Sequence, residues 1–156
     1  MKKPLFFLVS LICLCAANVS AQTKSVLPCI DSSVTKSSDS LVLFFRSNSF
    51  SLAHSASLTM ESEYESAIIV DLKKGNTYVL AFVAAKTSKL FQVSLYDRDE
   101  HRVAYEKQKA FDKEGNILIF SYKPDESGLH IIMPLQSNKK SKEVCGQLML
   151  FKKDLP

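Results

Sequence analysis

The rhythm of hydrophobic and polar positions changes three times along the chain. Leu5 to Ala17 is an almost unbroken apolar run behind Lys2 and Lys3. Gln22 to Ser40 is polar and rich in serine. From Phe50 onward apolar residues recur at alternate positions, the period of a half-buried strand. Phe50, Leu52, Leu58 and Met60 fall at even spacings, with His54 read as a strand end, and Ile68, Val70 and Leu72 alternate next. Thr77 to Ala85 is apolar on both faces, which predicts a central strand covered on both sides. Phe91, Val93 and Leu95 alternate with Gln92, Ser94 and Tyr96, as in a half-exposed strand. Val103 with Tyr105, Ile117 to Tyr122, Leu129 to Leu135 and Gly146 to Phe151 complete a series of about eight strands. Pro134 is expected to end its strand or lie at an edge, because proline cannot donate to the ladder.

Between the apolar run and the first strand, Leu41 to Phe45 fits either a buried strand or a helix end. The spacing of Val34, Leu41 and Phe45 favours one short helix ending near Arg46 to Asn48. The many serines weaken that reading, since their hydroxyls compete for backbone hydrogen bonds. Lys74-Gly75-Asn76 and Glu114-Gly115-Asn116 each precede an apolar strand, as turns with positive φ require. Asp97 to Glu100 reads as a polar hairpin, and Lys113 to Asn116 and Lys123 to Gly128 are assigned the same role. Ser137 to Lys142 reads as a solvated loop. Strands about ten residues apart predict a mainly β fold, an antiparallel β-sandwich or a barrel, rather than βαβ units, and the sandwich is the expected form.

The order of the N-terminus is basic, apolar, then small residues at Val19-Ser20-Ala21, which is the order of a secretory signal cut at Ala21/Gln22. The apolar run is shorter than the roughly 20 residues of a stable membrane span. Lipidation of Cys13 or Cys15 is disfavoured, because Ile12 and Leu14 precede them where a small residue is needed. Three regions are therefore expected: a signal peptide over 1–21, a polar and partly helical segment over 22–48, and a β-sandwich over 49–156. The expected address is the periplasm or the medium.

Composition adds little to this picture except through cysteine. Loss of Lys2 and Lys3 lowers the formal charge from +4 to about +2. That excess does not suit a nucleic-acid partner. Of four cysteines, only Cys29 and Cys145 remain after cleavage. An oxidising compartment predicts that they pair. So long a closed loop contributes about 4–5 kcal/mol in the chain-entropy model.

Candidate chemistry is sparse. His54, His101 and His130 are too far apart in sequence for a zinc pattern, so surface or structural roles are expected and no metal or cofactor is assigned. No G-x-S-x-G elbow occurs. Asp97, Asp99 and Glu100 place three carboxylates in one turn, where calcium is the alternative to a plain hairpin. Glu61, Glu63 and Glu65 alternate; an exposed acidic edge fits better than a glycosidase carboxylate row. Lys139, Lys140, Lys142, Lys152 and Lys153 are read as solvated, with a phosphate or lipid-headgroup patch as the alternative. Tyr96, Tyr105 and Tyr122 are the candidates for a small recognition platform, against ordinary strand packing.

Several phrases resemble one known family. Val70 to Tyr78, Val93-Ser94-Leu95-Tyr96-Asp97 and Ser127-Gly128-Leu129-His130-Ile131 are similar to strand-and-turn phrases of bacterial pre-peptidase C-terminal domains and related galactose-binding-like jelly rolls. Glu143 to Phe151 also resembles the end of small secreted proteins of the Bacteroidota. The resemblance covers roughly the last 90 residues. It implies a jelly-roll sandwich that acts as a non-catalytic binding or accessory module, and it supplies no catalytic residue. The expected partner is an envelope protein, a peptide or a glycan. The competing classes are a hydrolase whose site assembles only in three dimensions and a structural envelope component. Mass spectrometry of the exported protein should find a chain starting at Gln22 without lipid. A product that keeps Met1, or carries lipid on Cys15, contradicts the cleavage reading.

Overall fold

The computed structural model describes residues 28–109 and 115–154. The expected signal peptide, its cut at Ala21 and the Lys113-Glu114 half of one turn lie outside the described residues. One helix, α1 (Ser32–Ser47), precedes eight strands. These are β1 (Phe50–Glu61), β2 (Ile68–Leu72), β3 (Tyr78–Ala84), β4 (Leu90–Tyr96), β5 (Arg102–Lys109), β6 (Ile117–Tyr122), β7 (Gly128–Ser137) and β8 (Glu143–Lys153).

The serine-rich start is helical because a capping carboxylate and a packed inner face, Val34 and Phe45, outweigh the weak helix preference of serine. Asp31 caps it: the carboxylate accepts from the Ser33 and Val34 amides at 2.8 and 3.3 Å. The Ser33 hydroxyl bonds the same oxygen and is the main reason that this carboxyl titrates below its usual value. Ser38 and Ser40 donate to the carbonyls of Val34 and Lys36, one turn back, so their hydroxyls do not unwind the backbone. The five apolar residues Leu41 to Phe45 go all the way round the helix. Phe45 is therefore buried, while Leu43 and Phe44 are exposed.

The strands form two antiparallel four-stranded sheets, ordered β1-β8-β3-β6 and β2-β7-β4-β5. Every connection crosses between the sheets except β4 to β5 and the entry from α1. Asp97 to Glu100 is thus a true hairpin, with Glu100 at φ 62°. The expectation of hairpins at Lys113 to Asn116 and Lys123 to Gly128 is corrected. Both lead to the opposite sheet, since β6 pairs with β3 and β7 with β2 and β4. Gly75 and Gly115 take the positive φ expected of them, 84° and 112°.

The main core lies between the sheets. Tyr78, Leu80 and Phe82 of β3 meet Phe91, Val93 and Leu95 of β4, with Ile132, Leu148 and Leu150. The other face of β3 carries Val79, Ala81 and Val83 under α1, where they join Val34, Phe45, Met149 and Phe151. The Phe45 ring stacks on Phe151 at 4.4 Å and meets Phe50 edge-on at 5.7 Å. β3 is buried along its whole length, as its two-sided apolar pattern predicts. Full burial of its larger apolar side chains, such as Leu80, Phe82 and Val83, contributes about 1.5–3 kcal/mol each.

Three local expectations change. Pro134 lies inside β7, opposite Val93 of β4. Its carbonyl accepts from the Ser66 amide, ahead of β2. In an antiparallel ladder the N–H would face that same side, so the ladder loses no bond with β4. His54 does not end its strand; it follows a bulge at Ala53 and β1 continues to Glu61. The alternation of Glu61, Glu63 and Glu65 is not strand throughout, because β1 stops at Glu61 and Glu63 turns at φ 71°.

A disulfide joins Cys29 to Cys145 across 116 residues, as the cysteine count predicts. Gln136, fully buried, ties the same region together. Its Oε1 accepts from the Ala85 amide and the Ser88 hydroxyl, at 3.0 and 2.7 Å. Its Nε2 donates to the Cys145 carbonyl at 2.8 Å and to Met60 Sδ at 3.4 Å. A Cβ at Gly146 would lie 2.9 Å from both Gln136 Nε2 and the Phe82 ring. Gly146→Ala should therefore destabilise the fold by about 1–3 kcal/mol. Urea denaturation checks this, and an unchanged midpoint contradicts the close contact.

Candidate functional site

The two sheets differ in what covers them. α1 lies on the outer face of the β1-β8-β3-β6 sheet. The outer face of the β2-β7-β4-β5 sheet has no covering element among the described residues. Strand register places Ile69, Ile131 and Tyr96 in one row across it, with Met133, Ser94 and Tyr105 in the next and Leu135, Gln92 and Lys107 in a third. Ile69 is 64% exposed, Leu129 58%, Tyr105 40% and Val103 37%. Ile131, Met133, Leu135 and Tyr96 are partly exposed. Contiguous exposed apolar side chains of this kind mark interaction surfaces.

At one end of this face, Leu129 and Val103 run into a cleft of about 240 Å3. The β4–β5 hairpin, the end of β6 and the loop 123–127 form its walls. His130 is buried there, with Nδ1 3.0 Å from the Gly128 carbonyl and Nε2 3.4 Å from the Tyr122 hydroxyl. Burial, reinforced by the charges of Asp125 and Asp97, raises the Tyr122 hydroxyl above its ordinary pKa of 10.0. Both ring nitrogens of His130 are thus engaged, which supports a structural role over that of a free base.

Of the three carboxylates of the calcium alternative, Asp97 is engaged in the turn and Asp99 with Arg98. Asp97 Oδ1 accepts from the Asp99 and His101 amides at 2.9 and 2.8 Å. The bond from the His101 amide is the main cause of its lowered pKa. Asp99 and Glu126 flank Arg98, at 3.6 and 3.8 Å. Among the described residues, no three His, Cys, Asp or Glu side chains gather as a metal site.

The other sequence candidates are dispersed. Tyr96 and Tyr105 lie on the open face, but Tyr122 belongs to the other sheet, so no three-tyrosine platform forms. Arg102 covers the Tyr105 ring at 4.8 Å. Lys139, Lys140 and Lys142 lie before β8, and Lys152 and Lys153 at its far end, about 30 Å away. They do not make one basic patch. His54 lines a gap between β1 and β2 with Val70, Asp71 and Lys152; Val70 is the ladder partner of His130, but His130 does not line that gap. The open face is what sequence reasoning missed. Its signal was the Leu129 to Leu135 run, apolar on both faces like β3, but periodicity does not say which face will be covered.

No protein-family model matches the chain, and no curated protein matches it. Among solved structures it is similar to a disulfide-linked pilus protein of Bacillus endospore appendages, at 12% identity and TM-score 0.41, covering 69% of this chain and 90% of that one. It is also similar to a fucose-binding module of Streptococcus pneumoniae, at 20% identity and TM-score 0.38, covering 63% and 70%. A CBM4 module matches at 13% identity and TM-score 0.36, covering 69% and 76%.

The raised pKa of Tyr122 has a sign that can be checked. A folded value above the unfolded one stabilises the fold below pH 10, and that contribution is lost as pH rises through the folded value. In a near-ultraviolet pH titration a component that ionises above the ordinary tyrosine value should appear, and Tyr122→Phe should remove it. An unaltered titration curve contradicts the burial argument.

Proposed function

We propose that this chain is an exported binding module that performs no chemistry, and that the open face of the β2-β7-β4-β5 sheet is its contact surface. The observation that carries this reading is the asymmetry of the sandwich. One outer face carries α1 over Val79, Ala81 and Val83, with Leu52 and Ile119 exposed only toward its margins, while the other has no covering element among the described residues and exposes Ile69, Leu129, Val103 and Tyr105. Leaving such side chains in water forgoes about 25 cal/mol for each Å2. A partner that covers them recovers it.

The chemistry of the face favours a polypeptide over a glycan. Its exposed side chains are mainly aliphatic, and its most exposed ring, Tyr105, is already covered by Arg102. Sugar rings need flat, free aromatic faces, whereas aliphatic side chains interdigitate with others like themselves. The paired Cys29 and Cys145 fit an oxidising compartment and so support export.

Ile69→Asp with Leu129→Asp places two charges on the face without touching the core. The mature double variant should keep its circular dichroism spectrum and melting temperature. It should lose at least about tenfold of the native chain's retention of envelope proteins. Retention equal to that of the native chain would sink the proposed surface.

A further inference from the structure

The open face is bordered by opposite charges at matching heights. Along the β2 side, segment 62–66 continues beside β7 through bonds from the Glu63 amide to the Gln136 carbonyl and from the Ser66 amide to the Pro134 carbonyl. Glu65 therefore stands beside the row of Leu135, and Glu63 beside Gln136 and Ser137, whose hydroxyl reaches its carboxylate at 3.0 Å. Asp71 pairs with Leu129 at the other end of this margin. Along the opposite side, β5 places Lys107 in the row of Leu135 and Lys109 in the row of Ser137. Arg102 lies in the row of Ile131. Glu106 is opposite core residue Val93 and so belongs to the inner side. The face thus runs from an acidic margin through an apolar centre to a basic margin. Asp71 is matched within the chain by Lys73, which leaves Glu63 and Glu65 as the main acidic pair.

Such a face is complementary to itself. Consider a twofold axis parallel to the strands, with two copies face to face. The rotation exchanges the margins and keeps heights along the strands. Lys107 of one copy then meets Glu65 of the other, and Lys109 meets Glu63. Arg102 meets Asp71 within a long side chain's reach. Each meeting occurs twice, as an isologous interface requires. In the centre, Ile69, Ile131, Met133 and Leu135 pack sheet on sheet, as the chain's own interior does. Strands of five to ten residues, four abreast with both margins, offer about the footprint of one partner in a standard interface, ~800 Å2.

We infer that the partner of the open face is a second copy of this chain, docked about a twofold axis parallel to the strands, with Lys107 and Lys109 against Glu65 and Glu63 of the other copy. This inference rests on the reading of that face as the contact surface.

Sedimentation equilibrium of the disulfide-bonded chain from Gln22 tests it with charge exchange. The native chain should form a dimer that added salt weakens. K107E/K109E makes both margins acidic, and E63K/E65K makes both basic. Each alone should weaken the dimer about tenfold or more, and an equimolar mixture should restore it as a heterodimer. Circular dichroism confirms that each variant is folded. A dimer lost in the Ile69→Asp, Leu129→Asp variant yet indifferent to the charge exchanges would overturn the twofold arrangement. A dimer that survives the double aspartate variant would overturn docking on this face. A native chain that stays monomeric, while that variant still loses retention of envelope proteins, would overturn self-docking alone and leave the binding reading in place.

Discussion

Two sheets have four faces, and among the described residues two of them are fully covered and a third is covered over its centre. Two faces meet in the main core, where Phe82, Phe91 and Leu148 exclude water completely or nearly so. The third lies under a single helix, held by Phe45 on Phe151 and by Val34. A sheet is hydrophobic on the face it must bury, so covering elements determine which apolar rows stay in water. Here the chain supplies one described helix for two outer faces. The aliphatic rows of β7 and β2 are the remainder, and the binding reading follows from them.

Buried polar groups hold this arrangement at one end. Gln136 uses both lone pairs of its amide oxygen and both of its N–H groups within the protein. It joins the β3–β4 connection to β8 beside Cys145. The absence of side chain at Gly146 leaves room for it and for Phe82. A network satisfied this completely fixes register as well as contributing stability. Register in turn sets which residues stand in each row of the open face, and a slip of one residue would exchange the inner and outer sets.

Much of the architecture was legible in the sequence because alternation is a local signal. Phe91, Val93 and Leu95 point inward as their spacing says, and Tyr78 to Ala84 is buried on both faces as its continuous apolar run says. The helix was legible in the spacing of Val34 and Phe45, and its serines turned out to bond backward rather than break it. Non-local facts were not legible. Nothing near Pro134 reveals that β2 begins too late to need its amide. Nothing in Lys123 to Gly128 reveals that the chain changes sheets there. Ser94 alternates like a half-exposed residue, but Met133 and Tyr105 on the neighbouring strands flank it and it is buried. The open face falls in the same class, since its rows are assembled from residues 69, 96, 105 and 131. So does the cleft, which brings Asp97 near Tyr122 and His130.

The long separation of the paired cysteines has a consequence for how the molecule comes into being. A ribosome makes the chain from its amino end, so Cys29 emerges with its helix while 116 residues still separate it from Cys145. The helix has its landing site on β1, β8 and β3, and β8 is the last of the eight described strands to appear. Both the covalent clasp and the lid over the first sheet therefore wait for the same late segment. Until it arrives, Cys29 cannot form this bond, and the cluster around Val79, Ala81 and Val83 lacks Met149 and Phe151. The carboxyl-terminal strand is the keystone of this fold in time as well as in space.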